Sequence, residues 1–156
     1  GRPDMALFLF TKAILADEPI KVFNYGNMKR DFTYIDDAVE GILKAVDKLP
    51  EPDEAWDGEN PHPGKSWVPY RIYNIGNSRP VPLMELIAIL EKTLEKKAII
   101  DFQPIQLGDV PETFADITDS TEDLGFIPKT PIEVGVPLFV EWYKSFYCGA
   151  QSARKT

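Results

Sequence analysis

KVFNYGNMKRDFTYIDD, residues 21–37, is the stretch on which the rest of the chain turns. A short apolar run, Val22 and Phe23, enters a turn marked by Asn24, Gly26 and Asn27. The basic pair Lys29 and Arg30 follows, and Phe32, Tyr34 and Ile35 lead into Asp36 and Asp37, a helix start. An aromatic face, a fixed cation and a helix N-terminus within 17 residues suit the holding of a phosphorylated ring compound. Arg30 fits a phosphate because its planar fork offers paired donors. A surface hairpin, with Arg30 paired to Asp31 or Asp36, fits the same spacing, and both readings stand at this level.

Before this stretch, Asp4 is placed to cap a helix over 5–16, and Met5, Leu7, Phe8, Leu9, Phe10, Ile14 and Leu15 make it apolar on nearly every side. Such a helix is expected to be buried or to need further protein against it. A first residue other than methionine, with a core helix almost at once, predicts a cut chain. After the stretch, Val39, Ile42, Leu43, Val46 and Leu49 share one face of a helix running to about residue 48, which predicts a core-facing stripe. Asp36 and Asp37 read first as caps of that helix rather than as a catalytic pair.

Residues 50–69, with five prolines, two glycines, Trp56 and Trp67, read as a long surface loop. A strand is expected over 71–75. A helix follows from Pro82 with Leu83, Leu86, Ile87, Leu90 and Leu94 as its core stripe, then a strand over 98–102. Strand, helix and strand in that order predict an α/β unit, with these two strands parallel if they share a sheet. Pro104 and Pro111 predict an irregular arm carrying Gln106, Asp109 and Thr113. Asp119 and Gly125 bound a short helix, and Thr130, Pro131 and Glu133 open the last one, which Pro137 is expected to kink or restart. Residues 149–156 form a polar tail.

The chain has 156 residues, is 44% hydrophobic and carries a formal charge of −8. That is one domain's worth of core, and the charge argues against nucleic acid or anionic membrane as partners. One cysteine, Cys148, one histidine, His62, and the lack of a signal or spanning segment fit a cytoplasmic protein without a disulfide or metal centre.

GRPDMA (1–6), RDFTYIDD (30–37), YNIGNSRPVPLMELI (73–87), GDVPETFAD (108–116), LGFIPKTPIEVGV (124–136) and FVEWY (139–143) occur in this order. Together they resemble the C-terminal half of the extended short-chain dehydrogenase/reductase family of nucleotide-sugar epimerases and dehydratases, nearest to its UDP-glucuronate 4-epimerase branch. The resemblance implies an α/β fold of mixed short strands and helices, the substrate-binding portion of an extended Rossmann-type enzyme over 1–148. It implies NAD bound by a preceding half that is not in this chain, a UDP-sugar ligand, a homodimeric parent enzyme, and no turnover by this chain alone. No catalytic residue is expected here, since the Gly-rich cofactor turn is missing and none of the six tyrosines is expected to have a lysine four residues on, the family's Tyr-x-x-x-Lys spacing.

By the same resemblance, Arg30 would grip the diphosphate. Phe23, with the backbone of Lys21 and Val22, would receive the uracil, and Asp109 would accept hydrogen bonds from the ribose hydroxyls. Gln106 stands where many relatives have a second diphosphate-binding arginine. Arg2 would lie near the diphosphate or the uronate carboxylate. Two other identities remain open: another epimerase, dehydratase or decarboxylase of the family, and a non-catalytic nucleotide-binding or interaction module.

Overall fold

The computed structural model describes residues 5–148. Arg2, Asp4 and the tail from residue 149 lie outside the described residues. The chain forms two compact units. One takes in residues 5–30, 80–113 and 131–148, and the other residues 31–79 and 114–130.

In the first unit, helix α1 (Ala6–Leu15) leads into strand β1 (Pro19–Val22), which pairs in parallel with β4 (Ile99–Phe102). The register sets Lys21 opposite Asp101 and Val22 opposite Phe102. The alternation of a strand sends Ile20 and Val22 inward and Lys21 outward. Helix α3 (Leu83–Leu94) packs on α1 and on α5 (Ile132–Tyr143). Its expected stripe holds, with Leu86, Ile87, Leu90 and Leu94 buried. Lys96 closes the end of this layer, its ammonium donating to the Leu15 carbonyl at 3.0 Å and to Asp17 Oδ2 at 2.8 Å.

α1 is buried through Phe10, Thr11 and Ile14. Thr11 escapes the cost of burial by donating its hydroxyl to the Leu7 carbonyl at 2.7 Å. Phe8 meets Tyr143 and Tyr147 edge to face, at centroid distances of 5.0 and 5.4 Å. Most of what α1 required is therefore supplied inside its own unit, although Met5 and Leu9 stay exposed. α5 continues through Pro137 rather than starting there, and a π turn over Lys144–Cys148 follows it.

The second unit is built around helix α2 (Ile35–Asp47) and the short helix α4 (Thr118–Leu124). Three sequence expectations fail here. The stripe of α2 does not face a core: Val39, Ile42, Leu43 and Val46 are exposed, as is Leu49 beyond it. The helix turns its small and polar face inward instead, where a Cβ at Gly41 would come within 2.8 Å of Ile75 and 3.1 Å of Phe126. Residues 71–75 form no strand, only a bridge from Arg71 to Lys65, and the parallel partner of β4 is β1. Lastly, Asp37 does not cap α2; its carboxylate accepts from the Lys129 and Thr130 amides at 3.1 and 2.9 Å and from the Thr130 hydroxyl at 3.2 Å. Thr130 is thereby diverted from the expected capping box, and α5 starts without a side-chain cap.

α4 stops at Gly125, whose φ of +63° is the left-handed C-terminal conformation glycine supplies. Its start is held by Asp116 rather than Asp119: Asp116 Oδ1 accepts from the Thr118 amide at 3.0 Å and hydroxyl at 2.6 Å, which holds the carboxyl below the ordinary aspartate range. Residues 50–69 contain no helix or strand. No helix among the described residues is long and apolar enough to cross a membrane.

Candidate functional site

Every candidate residue that the structure describes lies in the first unit. β1 ends at Val22, and the chain turns through Phe23–Gly26, where Asn24, Tyr25 and Gly26 all have positive φ. Three consecutive left-handed residues reverse the chain within one turn, and only glycine does this without strain. Asn24 tolerates it by donating its side-chain amide to the Asn27 carbonyl at 2.7 Å. The chain then enters β2 (Lys29–Asp31), which pairs with β3 (Pro80–Pro82).

The irregular arm is stitched to this turn at both ends. At its start, the Gln103 amide donates to the Val22 carbonyl at 2.9 Å, and the Tyr25 amide donates to the Gln103 carbonyl at 3.1 Å. At its finish, the Lys29 amide donates to the Pro111 carbonyl at 2.8 Å and the Thr113 amide to the Lys29 carbonyl at 3.3 Å. Between them, the Asp109 amide closes on the Gln106 carbonyl at 3.1 Å, with Gly108 at φ +90° as a type II turn requires. Val22, Phe23, Arg30 and the loop bearing Gln106 and Asp109 thus belong to one hydrogen-bonded frame.

Within it, the half-buried Arg30 donates from Nη1 to the Lys29 carbonyl at 2.8 Å and to the Pro111 carbonyl at 3.3 Å. It has no carboxylate partner among the described residues. The pairing with Asp31 or Asp36 is overturned, because adjacent strand residues point to opposite faces and Asp31 accepts from the amides of Asn77, Ser78 and Ala115. Two carbonyls orient the guanidinium without neutralising it, which leaves a held positive charge for an anion. Lys29 differs: Glu112 lies 3.3 Å away.

Phe23 is half-buried, while Lys21, Gln106 and Asp109 are exposed, with side chains that make no hydrogen bond among the described residues. Val22 is fully buried, so it offers a ligand backbone atoms alone, and its carbonyl already serves Gln103. Arg2 is not among the described residues.

The expectation that no tyrosine has a lysine four residues on is wrong: Tyr25 and Lys29 stand at the Tyr-x-x-x-Lys interval. That interval aligns two side chains when it lies on a helix. Here left-handed residues and a strand fill it, Tyr25 is exposed and Lys29 faces Glu112. The pair does not form the catalytic arrangement.

Gly26 and Gly76 leave no open space for a dinucleotide. The missing Cβ of Gly26 leaves room for Met84 Sδ, 2.7 Å from where it would be, and that of Gly76 for Ala115 Cβ at 2.3 Å. Both spaces are filled by this chain's own atoms, so these glycines do not fit the close backbone approach of a pyrophosphate.

The second unit contains a cleft of about 310 Å3 among Lys48, Glu51, Asp53, Lys65, Arg71 and Asp123. Three cations there face three anions. Arg71 is paired to Asp123, which also accepts from the Tyr73 hydroxyl at 3.1 Å. Burial first, and then Asp123, push the Tyr73 phenol above its ordinary value. With its arginine neutralised and its charges balanced, this cleft is a structural seam.

The model of the family described as NAD dependent epimerase/dehydratase matches residues 1–76. Protein CapI of Staphylococcus aureus is 52% identical over 94% of this chain and 44% of its own length. UDP-glucuronate 4-epimerase 5 of Arabidopsis thaliana is 44% identical over 97% of this chain and 34% of its own length. The crystal structure of UDP-glucuronic acid 4-epimerase from Bacillus cereus in complex with UDP-glucuronic acid and NAD superposes with a TM-score of 0.75 at 29% identity, covering 94% of this chain and 41% of that one. The chain therefore spans less than half the length of these relatives while aligning along nearly all of its own. The motifs, the α/β elements and these matches agree: the chain belongs to the NAD-dependent epimerase/dehydratase family and corresponds to one part of its members.

Proposed function

We propose that this chain is the UDP-sugar-gripping part of an NAD-dependent UDP-glucuronate 4-epimerase and has no turnover alone. The observation that carries the reading is Arg30, a cation oriented by two carbonyl oxygens and not paired to a carboxylate. Its fork suits a diphosphate. Phe23, at the turn after β1, offers a ring face to uracil, with backbone atoms of Lys21 and Val22 at the base edge. Asp109 presents two acceptor oxygens to a vicinal diol, and Gln106 contributes a neutral donor. Arg2 completes the anion contacts, at the diphosphate or the uronate.

Inverting a sugar carbon through a transient ketone also requires a hydride carrier and a base. NAD is assigned to the part of the relatives this chain does not cover; the spaces at Gly26 and Gly76 are filled by this chain's own atoms and favour that assignment. This chain's share of the reaction is to bind the nucleotide and leave the sugar free to turn. The likeness to named UDP-glucuronate 4-epimerases favours that substrate over other nucleotide sugars.

Calorimetric titration with UDP, then with NAD, tests the division. Saturable UDP binding that Arg30→Ala weakens at least about tenfold, with no heat from NAD, is the expected result; a charge-assisted contact of about 1.5–3 kcal/mol corresponds to that factor or more. NAD binding, or UDP binding indifferent to Arg30, overturns it.

A further inference from the structure

One exposed apolar area of the first unit lies where α1 meets the end of α5. At α1, Met5, Phe8, Leu9 and Lys12 follow the i, i+3, i+4, i+7 spacing of one helix face, and Met5 and Leu9 are 51% and 47% exposed. On α5, Leu138 and Trp142 stand one turn apart, and Phe146 follows in the π turn; all three are exposed, Phe146 most. Rings join the two rows. Tyr147 meets Phe8 at 5.4 Å, Trp142 at 6.0 Å and Phe146 at 4.9 Å, and Trp142 stacks on Phe146 at 5.7 Å. The cluster is held together from within while its outer edge faces solvent.

A separate observation concerns charge. The net charge of −8 argues against an anionic surface as a partner of the molecule as a whole. The charge is unevenly spread, however. Lys12 is the only charged residue in 5–16, and residues 142–156 hold Lys144, Arg154 and Lys155 with no acid. Lys12 and Lys144 are both exposed. Glu141, the nearest acid in sequence, stands about 100° round the helix from Trp142. The one sector of the sequence that combines cations with an absence of acids therefore coincides with the aromatic cluster.

Exposed Trp, Tyr and Phe beside such cations match the interface of a bilayer that contains anionic lipid. Rings with a polar edge settle at headgroup depth, and lysine and arginine side chains reach the phosphates. A second copy is the poorer fit, since a two-fold contact would set the cationic sector against itself. No helix among the described residues is long and apolar enough to cross a membrane, so such a contact is one of lying on the surface. We infer that the face formed by Met5, Leu9, Trp142, Phe146 and Tyr147, flanked by Lys12, Lys144 and the basic end of the sequence, binds peripherally to anionic lipid bilayers. The inference uses neither Arg30 nor the nucleotide, so it stands or falls apart from the proposed function.

Flotation of this chain with unilamellar vesicles reads the contact. Affinity for phosphatidylcholine vesicles containing about 30% phosphatidylglycerol is expected to be at least about tenfold that for pure phosphatidylcholine, and to fall as salt is raised. Tryptophan emission is expected to shift to the blue on binding and to lose that shift in Trp142→Phe, since Trp56 and Trp67 belong to the other unit. Phe146→Ser and Lys144→Glu are each expected to weaken binding about five- to tenfold, and Glu141→Lys to strengthen it. Lys144→Glu is expected to leave the melting temperature within about 2 °C of the parent, because the side chain is exposed, and so keeps the test open should Phe146→Ser loosen the ring cluster. No binding to the anionic vesicles overturns the inference, as does binding that none of these substitutions changes. A dimer in sedimentation that Phe146→Ser dissolves would assign the face to a second copy instead. Binding by this chain but none by full-length S. aureus CapI would assign it to the part of the relatives that this chain does not cover, and would equally overturn the inference.

Discussion

Replacing Asp37 with alanine tests whether the second unit hangs on one buried carboxylate. Asp37 is 5% exposed and accepts three hydrogen bonds, from two amides and a hydroxyl of Lys129 and Thr130. Bonds to a charged acceptor contribute about 1.5–3 kcal/mol each. Taking the low end, because Lys129 and Thr130 regain some water, Asp37→Ala is expected to cost about 4 kcal/mol. At about 2–4 °C per kcal/mol for a chain of this size, the thermal midpoint falls by about 8–16 °C. Asp37→Asn separates geometry from charge. Its carbonyl oxygen can face both amides while its NH2 group donates to the Thr130 hydroxyl, so about 1–1.5 kcal/mol is the expected loss. Circular-dichroism melts give the midpoints, and exchange at the Lys129 and Thr130 amides gives the local effect, fast in the alanine variant and retained in the asparagine one. A loss below about 1 kcal/mol for alanine, or equal losses for both variants, would refute the reasoning.

Two further perturbations probe the first unit. Gly26→Ala places a side chain at φ +82°, where its Cβ would also meet Met84 Sδ at 2.7 Å. Met84 is flexible and partly exposed, so backbone strain dominates, and a loss of about 1–2 kcal/mol in urea denaturation is expected. No measurable change would mean that the turn relaxes to negative φ. Glu91 is held below its ordinary value of 4.5, first by the hydrogen bond from Lys97 and then by the Ala98 amide. Its folded value is lowered, so its contribution is fully present above 4.5 and is lost as pH falls from there through that lower value. Glu91→Gln is therefore expected to differ from the parent at pH 7 and to converge with it in acid. A gap that widens as pH falls would contradict this sign.

How much of this the sequence discloses depends on where a segment's partner sits. The α3 stripe was readable because its partners, α1 and α5, are in the same chain and unit, so periodicity and burial agree. The α2 stripe has the same periodicity, and its reading as a core face failed. Periodicity shows that a helix is amphipathic; it does not show which body covers the apolar side. Residues 71–75 fail for the same reason, since a strand without a paired neighbour leaves no ladder. At the site, strand alternation was available to argue that Arg30 and Asp31 diverge. The carbonyl of Pro111, 81 residues away, was not, because nothing local marks a main-chain acceptor. The Tyr25 to Lys29 interval is the converse case, a motif by spacing that the left-handed Tyr25 and Gly26 and the strand after them empty of meaning.

The site and the core share a unit, and this has a mechanical consequence. The described candidates, Lys21, Val22, Phe23, Arg30, Gln106 and Asp109, stand on strands and turns of the unit that also contains α1, α3 and α5, and among the described residues all the buried apolar core except Phe126 lies in that unit. The second unit has polar ties, through Asp31, Asp37 and Asp123, but little apolar burial to hold it. Fluctuation is therefore expected to be concentrated in the second unit and to leave the Arg30 frame standing. If the nucleotide grip rested on that frame alone, Asp37→Ala would accelerate exchange throughout α2 at temperatures where UDP affinity is unchanged. A parallel loss of UDP affinity under those conditions would show that the frame draws its order from both units, and that the grip is a property of the whole chain.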